Sequence, residues 1–520
     1  MVVHAGKRKR KGRWLYSRRR VGGFWLGVAL FVMMLLFPRP SGMSPSAQRM
    51  AAVALLMACW WISEAIPIAA TALVPLVAYP LLQILPTSEV ARSYATHNIF
   101  LFMGGFFISM AMQKWKLHRR IALHIITLVG VKPSRIVLGF MLSTAFLSMW
   151  ISDTATVMMM FPIALSVISH AAEVGEGGSL RGRRGDFGFT LMLGIAYSAV
   201  IGGVGTLIGT PPNIIFAGTL RTLFPKAEEF VFFRWMMVGV PFVVLFLPLA
   251  WLYLVRVASS TSKLGSLGSG DVIRKEIKKL GAMSRGEKYT LIIFCTTAFL
   301  WMFRRNIPIG KLVIPGWADL LGIGQYVQDS TVAIAMALVM FFIPVDLRKG
   351  DFLLDWEWAK RIPWGILILF GGGFALASGF SQTGLAGWIG GNLRGLGGVP
   401  VFAMVFLVSL MMTFLTEVTS NTATATTFMP ILAATASAIR VHPFMLMIPA
   451  TISASCAFML PVATPPNAIV FGSGYLTIPK MARVGVVMNF IGAVLVFIVM
   501  NFLGVPLLGI EPGELPLWAN

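Results

Sequence analysis

Apolar runs long enough to cross a bilayer as helices recur from Val21 to Leu508, separated by charged or Gly/Pro-rich breaks. They predict crossings near 21–38, 48–66, 67–84, 98–114, 188–218, 232–255, 287–303, 328–346, 364–386, 443–474 and 482–508. Two further segments, 136–169 and 400–438, carry polar tips near their middles, Ser152-Asp153-Thr154 and Ser420-Asn421-Thr422. Each has too few apolar residues beside its tip for two ordinary crossings. They read as re-entrant hairpins that enter and leave on the same side. The pattern therefore predicts an all-α polytopic membrane protein of about 11 transmembrane helices plus two re-entrant hairpins.

Composition excludes the soluble alternatives. Of 520 residues 57% are apolar and only 12% charged, half the charge of an ordinary soluble chain. A soluble enzyme and a disordered chain are both ruled out. The net charge of +23 would suggest nucleic acid in a soluble protein, so its placement decides. With the N-terminus in the cytoplasm and sides alternating, 32 of the 43 Lys and Arg fall inside. That asymmetry is the positive-inside rule, so the charge records topology and contact with anionic membrane lipid, with no nucleic acid as partner. Cys59, Cys295 and Cys456 show no metal or disulfide spacing. Nine basic residues precede the first apolar run, and the Phe-Pro-Arg-Pro stretch after it offers no cleavage site, so that run reads as a retained helix.

The chain also repeats itself. Gly104-Gly105-Phe106 recurs as Gly372-Gly373-Phe374, Ser152-Asp153-Thr154-Ala155-Thr156 as Ser420-Asn421-Thr422-Ala423-Thr424, and Pro162 as Pro430, all 268 positions apart. Ser148 pairs with Thr416 at the same offset. Thr210-Pro211-Pro212-Asn213 recurs as Thr464-Pro465-Pro466-Asn467 at 254. Matches in one order at a near-constant offset point to duplication. The predicted domains are 1–47 (basic cytoplasmic N-terminus and first helix), 48–256 (repeat 1, with hairpin 136–169) and a cytoplasmic linker at 257–286. Repeat 2 follows at 287–508, with hairpin 400–438, and a tail at 509–520 lies outside. Each repeat holds five crossings and one hairpin, so the second copy is inverted. Inverted repeats with broken helices mark secondary transporters, whose site lies at the repeat interface.

The tips and breaks carry the candidate chemistry. Short hydroxyl and carboxyl side chains at a helix start accept from free backbone N–H groups. The returning arm aims its positive end into the cavity, while the outgoing arm leaves carbonyl oxygens free for a hard cation. A tip can thus hold an anion and a sodium ion side by side. Each Pro-Pro pair breaks one helix and favours the start of another, with threonine as its cap. Gly202 and Gly203 loosen the first break. Glu64 reads as a carboxylate capping a helix start or as part of the site's surroundings. Glu417 reads as balancing a bound cation or as purely structural. The six histidines show no ligand spacing, and the Ser/Gly-rich stretch 259–270 reads as a linker between halves.

Together, the S-[ND]-T tips, the G/A-T-P-P-N breaks and Trp60-Trp61-Ile-Ser-Glu-Ala-Ile-Pro67 resemble the divalent anion/sodium symporter family over roughly residues 48–508. The resemblance implies an elevator-type carrier of dicarboxylates, citrate or sulfate, usually a homodimer in the plasma membrane, with co-transported sodium and no prosthetic group. It assigns substrate contacts to Asp153, Thr154, Asn421, Thr422, Thr464 and Pro465. One sodium site falls on Ser148, Ser152, Asp153 and Gly202 or Gly203, a second on Thr416, Thr419, Asn421 and Ala463. The expected function is sodium-coupled import of a C4-dicarboxylate such as succinate, malate or fumarate. An uncoupled or proton-linked exchanger and a sulfate or citrate carrier are the alternatives.

One position departs from the family pattern, where the first tip reads S-N-T. Asp153 places a negative charge about 4–5 Å from a dianion, which costs roughly 3–4 kcal/mol at an effective dielectric near 20. Tighter sodium ligation, a coupled proton or a less charged substrate each compensate. No catalytic constellation or phosphate-cradling motif suggests an enzyme or an ATPase.

Overall fold

Proline sets where many of the helices begin. Pro45–Ser63, Pro133–Ser148, Pro211–Leu223 and Pro465–Phe471 each open on a proline, where the missing N–H has no helical partner to lose. In Pro45–Ser63 the Ser44 hydroxyl also accepts from Ala47 N at 3.1 Å. The computed structural model describes residues 18–130, 132–173, 180–258, 269–309, 312–393, 395 and 398–519. The basic stretch 1–17 and most of the Ser/Gly-rich linker lie outside the described residues.

The molecule is helical apart from two antiparallel ribbons, Ile307–Ile309 with Leu312–Ile314 and Pro344–Asp346 with Asp351–Phe352. Among the described residues, seven helical stretches are long and apolar enough to cross a membrane. Five shorter apolar helices of 10–17 residues accompany them.

Both polar tips are turns between antiparallel arms, Pro133–Ser148 with Asp153–Glu173 and Val401–Thr416 with Asn421–Ala438. Both Pro-Pro breaks are unwound joints. The first separates Leu180–Gly203 from Pro211–Leu223, the second Phe444–Ser455 from Pro465–Phe471.

The structure differs from three expectations. The expected crossing at 67–84 is two short helices, Ile68–Thr71 and Val74–Leu81, because Pro67 and Pro75 favour new starts over continuation. Glu64 caps no helix start. It ends Pro45–Ser63 in the left-handed region (φ 51°), and its carboxylate meets Arg20 at 3.1 Å. The stretch 114–135, expected as a connection, contains the helix Leu117–Val129. The helix Ser269–Leu280, from the linker, packs on it, with Arg119 paired to Glu276.

The helix Arg285–Met302 fixes which groups share an end. At its start Glu287 receives Arg120 Nε at 2.8 Å and closes a capping box with Ser284. Past its other end Arg304, fully buried, donates to Asp329 (2.6 Å), Glu229 (2.8 Å) and Val327 O (2.7 Å). The first hairpin's outgoing arm packs along Leu117–Val129, with Gly139 against Ile126 and Ser143 Oγ 3.0 Å from Ala122 O. The second hairpin runs into His442, beside Arg234 and Trp518, at the Arg304 end.

Packing is divided between two apolar cores. The smaller gathers Met50, Val53, Trp61 and Tyr79 against Leu369, Leu376 and Phe380. The larger holds the first hairpin, both broken helices and most of the second hairpin.

Candidate functional site

The first tip is seated directly on the first break. A Cβ on Gly202 would stand 2.3 Å from Ala145 O, so the hairpin and the broken helix meet backbone to backbone. A Cβ on Gly203 would lie 3.2 Å from Thr210 Cβ and 3.5 Å from Asp153 Oδ1. The bare glycine brings Asp153 to the unwound joint. Around it, the hydroxyls of Ser148 and Thr156 are buried without a hydrogen-bond partner. Buried polar atoms normally have one, so these oxygens form a donor set suited to a desolvated cation. The first turn of the returning arm closes with Thr156 N donating to Ser152 O at 3.0 Å, and Ala155 N approaches Ser152 Oγ at 3.4 Å.

At the second tip, Thr416 Oγ1 lies 2.7 Å from Asn421 Oδ1 and 2.8 Å from Ala454 O, its single proton shared between them, which ties the tip to the first half of the second broken helix. Thr424 N donates to Ser420 O at 2.9 Å, the bond found 268 residues earlier. Thr419 is buried, donates to Leu415 O and contacts Thr424. Ser453 and Ser455 hydroxyls nearby are buried and unpartnered. Ala463 and Thr464 are buried at the joint, where Thr464 Oγ1 accepts from Asn467 N at 3.3 Å. Pro465 is exposed, while Thr154, Asn421 and Thr422 are half-buried, open to a ligand.

The two breaks share a backbone as well as a sequence. The capping threonines have nearly equal dihedrals, φ −142° and ψ 145° at Thr210 against −139° and 151° at Thr464. Asn213 Nδ2 donates to Gly203 O, Val204 O and Thr206 O. Asn467 Nδ2 donates to Ala457 O and Leu460 O, both at 3.1 Å. These amides satisfy carbonyls that the unwound joints leave without helical partners. The motif alone gives no sign of that role.

Around the joints the halves diverge. The first is held by Trp235 Nε1 on Val204 O at 2.7 Å and by the Thr206 hydroxyl on Met149 O. The second is held by Glu417, whose carboxylate accepts from Phe458 N (2.6 Å), Met459 N (2.9 Å), Leu460 N (3.1 Å) and Asn489 Nδ2 (2.8 Å). Glu417 therefore clamps the joint, as the structural reading expected. Asn489, a buried amide within an apolar helix, and Tyr197, whose hydroxyl donates to Phe458 O at 2.8 Å, complete that clamp. An isolated polar residue in the run 482–508 was the available signal for Asn489.

Each half-helix crosses to the opposite tip. Pro211–Leu223 packs on the returning arm Asn421–Ala438, and Pro465–Phe471 packs on the returning arm Asp153–Glu173. Among the described residues, no side-chain hydrogen bond joins Asp153 or Thr154 to Asn421 or Thr422. The two clusters are linked through these helices. A cavity of about 710 Å³ at the Arg304 end, lined by Arg234, Trp301, Arg305 and Asp319, includes no tip residue. No cluster of metal-ligating His, Cys, Asp or Glu occurs among the described residues.

Comparison with known proteins fits this arrangement. Residues 19–510 match the family described as the sodium:sulfate symporter transmembrane region. The chain is 43% identical to a sodium-dependent dicarboxylate transporter of Staphylococcus saprophyticus over 519 residues, 99% of this chain and 97% of that one. It is equally identical to the corresponding Staphylococcus aureus transporter over 511 residues, covering 98% and 96%. Its fold is similar to the YdaH transporter of Alcanivorax borkumensis, with a TM-score of 0.56 at 13% identity, covering 89% of this chain and all of that one. It is also similar to MtrF of Neisseria gonorrhoeae, one of a class of antimetabolite efflux pumps, with a TM-score of 0.55 at 10% identity and coverage of 95% and 97%. The relatives are transporters rather than enzymes. With nearly its whole length matched, this multi-pass membrane chain belongs to the sodium:sulfate symporter family, the divalent anion/sodium symporters that its tips and breaks resemble.

Proposed function

We propose that this protein is a secondary active transporter that imports a small divalent anion, a C4-dicarboxylate such as succinate, malate or fumarate, together with sodium. The observation that carries the reading is the pairing of each hydroxyl-rich tip with a Thr-Pro-Pro-Asn joint, in both halves of the chain. The 43% identity to sodium-dependent dicarboxylate transporters supports a dicarboxylate cargo. In this reading Thr154, Asn421, Thr422, Thr464 and Pro465, with Asp153 beside them, meet the substrate. Positive helix ends and neutral donors hold its carboxylates. Ser148, Ser152, Asp153 and Gly202 or Gly203 ligate one sodium ion, and Thr416, Thr419, Asn421 and Ala463 another.

Sodium completes the charge at the tips before the dianion arrives, which couples the two fluxes. The hairpins are re-entrant, the halves are an inverted repeat, and the larger core moves against the smaller as an elevator. The chain works as a homodimer in the plasma membrane with its N-terminus in the cytoplasm. The test is uptake of radiolabelled succinate into proteoliposomes of the purified chain. An inward sodium gradient drives accumulation, and removing sodium stops both accumulation and counterflow. Counterflow that persists without sodium identifies an exchanger. Competition by sulfate or citrate stronger than by succinate reassigns the cargo.

A further inference from the structure

The helix Arg18–Leu36 lies outside the duplicated segments, so it has no twin. Its basic start nevertheless reaches the second tip. Arg19 Nη2 donates to Ile62 O at 2.6 Å and to Val418 O at 2.8 Å. Ile62 O belongs to the last turn of Pro45–Ser63, and Val418 O to the turn that ends Val401–Thr416. Carbonyls there lack partners within their own helices, and both helix ends carry partial negative charge. One guanidinium therefore bridges two helix C-termini that belong to different cores. Met57 and Trp61 pack in the smaller, Val405 and Met412 in the larger.

The surroundings differ from those of the first tip. There, Trp150 stacks on Phe232 and meets Phe294 edge-on, in buried packing. At the second tip, Arg19 is exposed and Val418 is 52% exposed. A contact made of charge and backbone carbonyls outside the apolar cores is made and broken without opening one. The left-handed turn at Glu64 presents Ile62 O to Arg19 while the Glu64 carboxylate engages Arg20. The two arginines thus anchor on one turn, and Arg19 extends from it to the tip.

We propose that Arg19 is a clasp, a positioning residue that holds the second tip against the end of Pro45–Ser63 in this conformation and releases it when the tip moves. This rests on the carrier reading above. It adds a determinant of the conformational equilibrium from a helix that the duplication does not supply.

Arg19→Cys with Val418→Cys, bridged by a bifunctional methanethiosulfonate long enough to replace the arginine, tests it in proteoliposomes. Bridging should abolish sodium-driven succinate uptake, and a reductant should restore it. Each single-cysteine variant should show the same rate before and after the identical treatment, whatever that rate is relative to the parent protein. Failure to bridge, or a bridged carrier that still turns over, overturns the clasp. Separately, Arg19→Gln should change the maximal uptake rate by at least about twofold, because it shifts a conformational population. Its thermal stabilisation by succinate plus sodium should stay intact, and Arg19→Lys should be intermediate. An unchanged maximal rate overturns the clasp. Absence of uptake by the unmodified protein in the same liposomes refutes the carrier reading itself.

Discussion

Asn213 and Asn467, 254 positions apart, hold equivalent carbonyls of their joints: Gly203 and Thr206 in one half, Ala457 and Leu460 in the other, each pair also 254 apart. The duplication is thus visible in hydrogen bonds as well as in letters. Replacing either asparagine by alanine leaves buried carbonyls unpaired, at a cost of about 1–3 kcal/mol. Thermal unfolding in detergent should show both losses. Asn213→Ala should be the larger, since its amide serves three carbonyls.

Glu417 gathers four donors on one carboxylate. In Glu417→Gln the amide nitrogen would face N–H groups, so the variant should lose about 1.5–3 kcal/mol of stability. Combining it with Asn489→Ala should be clearly less than additive, because the two side chains share a bond. Additive losses in a double-mutant cycle would remove Asn489 from the clamp.

Asp153→Asn restores the tripeptide of the second tip to the first. With Asp153 as a sodium ligand, the variant should need roughly tenfold more sodium for half-maximal uptake, a change of about 1.4 kcal/mol. Its pH profile should match that of the parent protein. A pH dependence in the parent that vanishes in the variant would assign Asp153 a proton instead.

Asn421 accepts from Thr416 and opens the returning arm of the second tip. Asn421→Ala should abolish the rise in melting temperature produced by succinate with sodium. Thr416→Val should weaken the sodium effect and the succinate effect together. Ligand-induced shifts that survive in Asn421→Ala would discard the proposed second tip.

At the Arg304 end, burial and the nearby Arg234 push His442 down to about 4 from its ordinary 6.5. Its ring packs on Phe444 and Trp518, and its amide meets Pro512 O, docking the C-terminal tail. The folded state favours the neutral ring. That stabilisation is fully present above about pH 6.5 and is lost as pH falls through about 4. The melting temperature should decline across this window, and His442→Phe should flatten the decline.

Much of this arrangement is legible in the residues because proline, glycine and hydroxyls act locally. Pro211 and Pro465 stop one helix and start another wherever they stand, so the joints were predictable from adjacent letters. The tips at 152–154 and 420–422 were predictable for the same reason. What was not legible depends on partners far along the chain. Glu417 finds its donors 41 to 72 positions away, and Arg304 is buried by Glu229 and Asp329. The residues around Arg304 in the sequence give no hint of that burial. Leu117–Val129 escaped because it is short and opens on His118, Arg119 and Arg120, which reads as a connection between crossings.

Where Gly202 meets Ala145, no side chain lies between the two backbones to act as a bearing. Surfaces in such close register cannot slide past each other without a gap of atomic size opening between them. The first hairpin and its kinked neighbour must therefore travel as one piece, and whatever relative displacement the protein uses has to be accommodated at looser boundaries elsewhere.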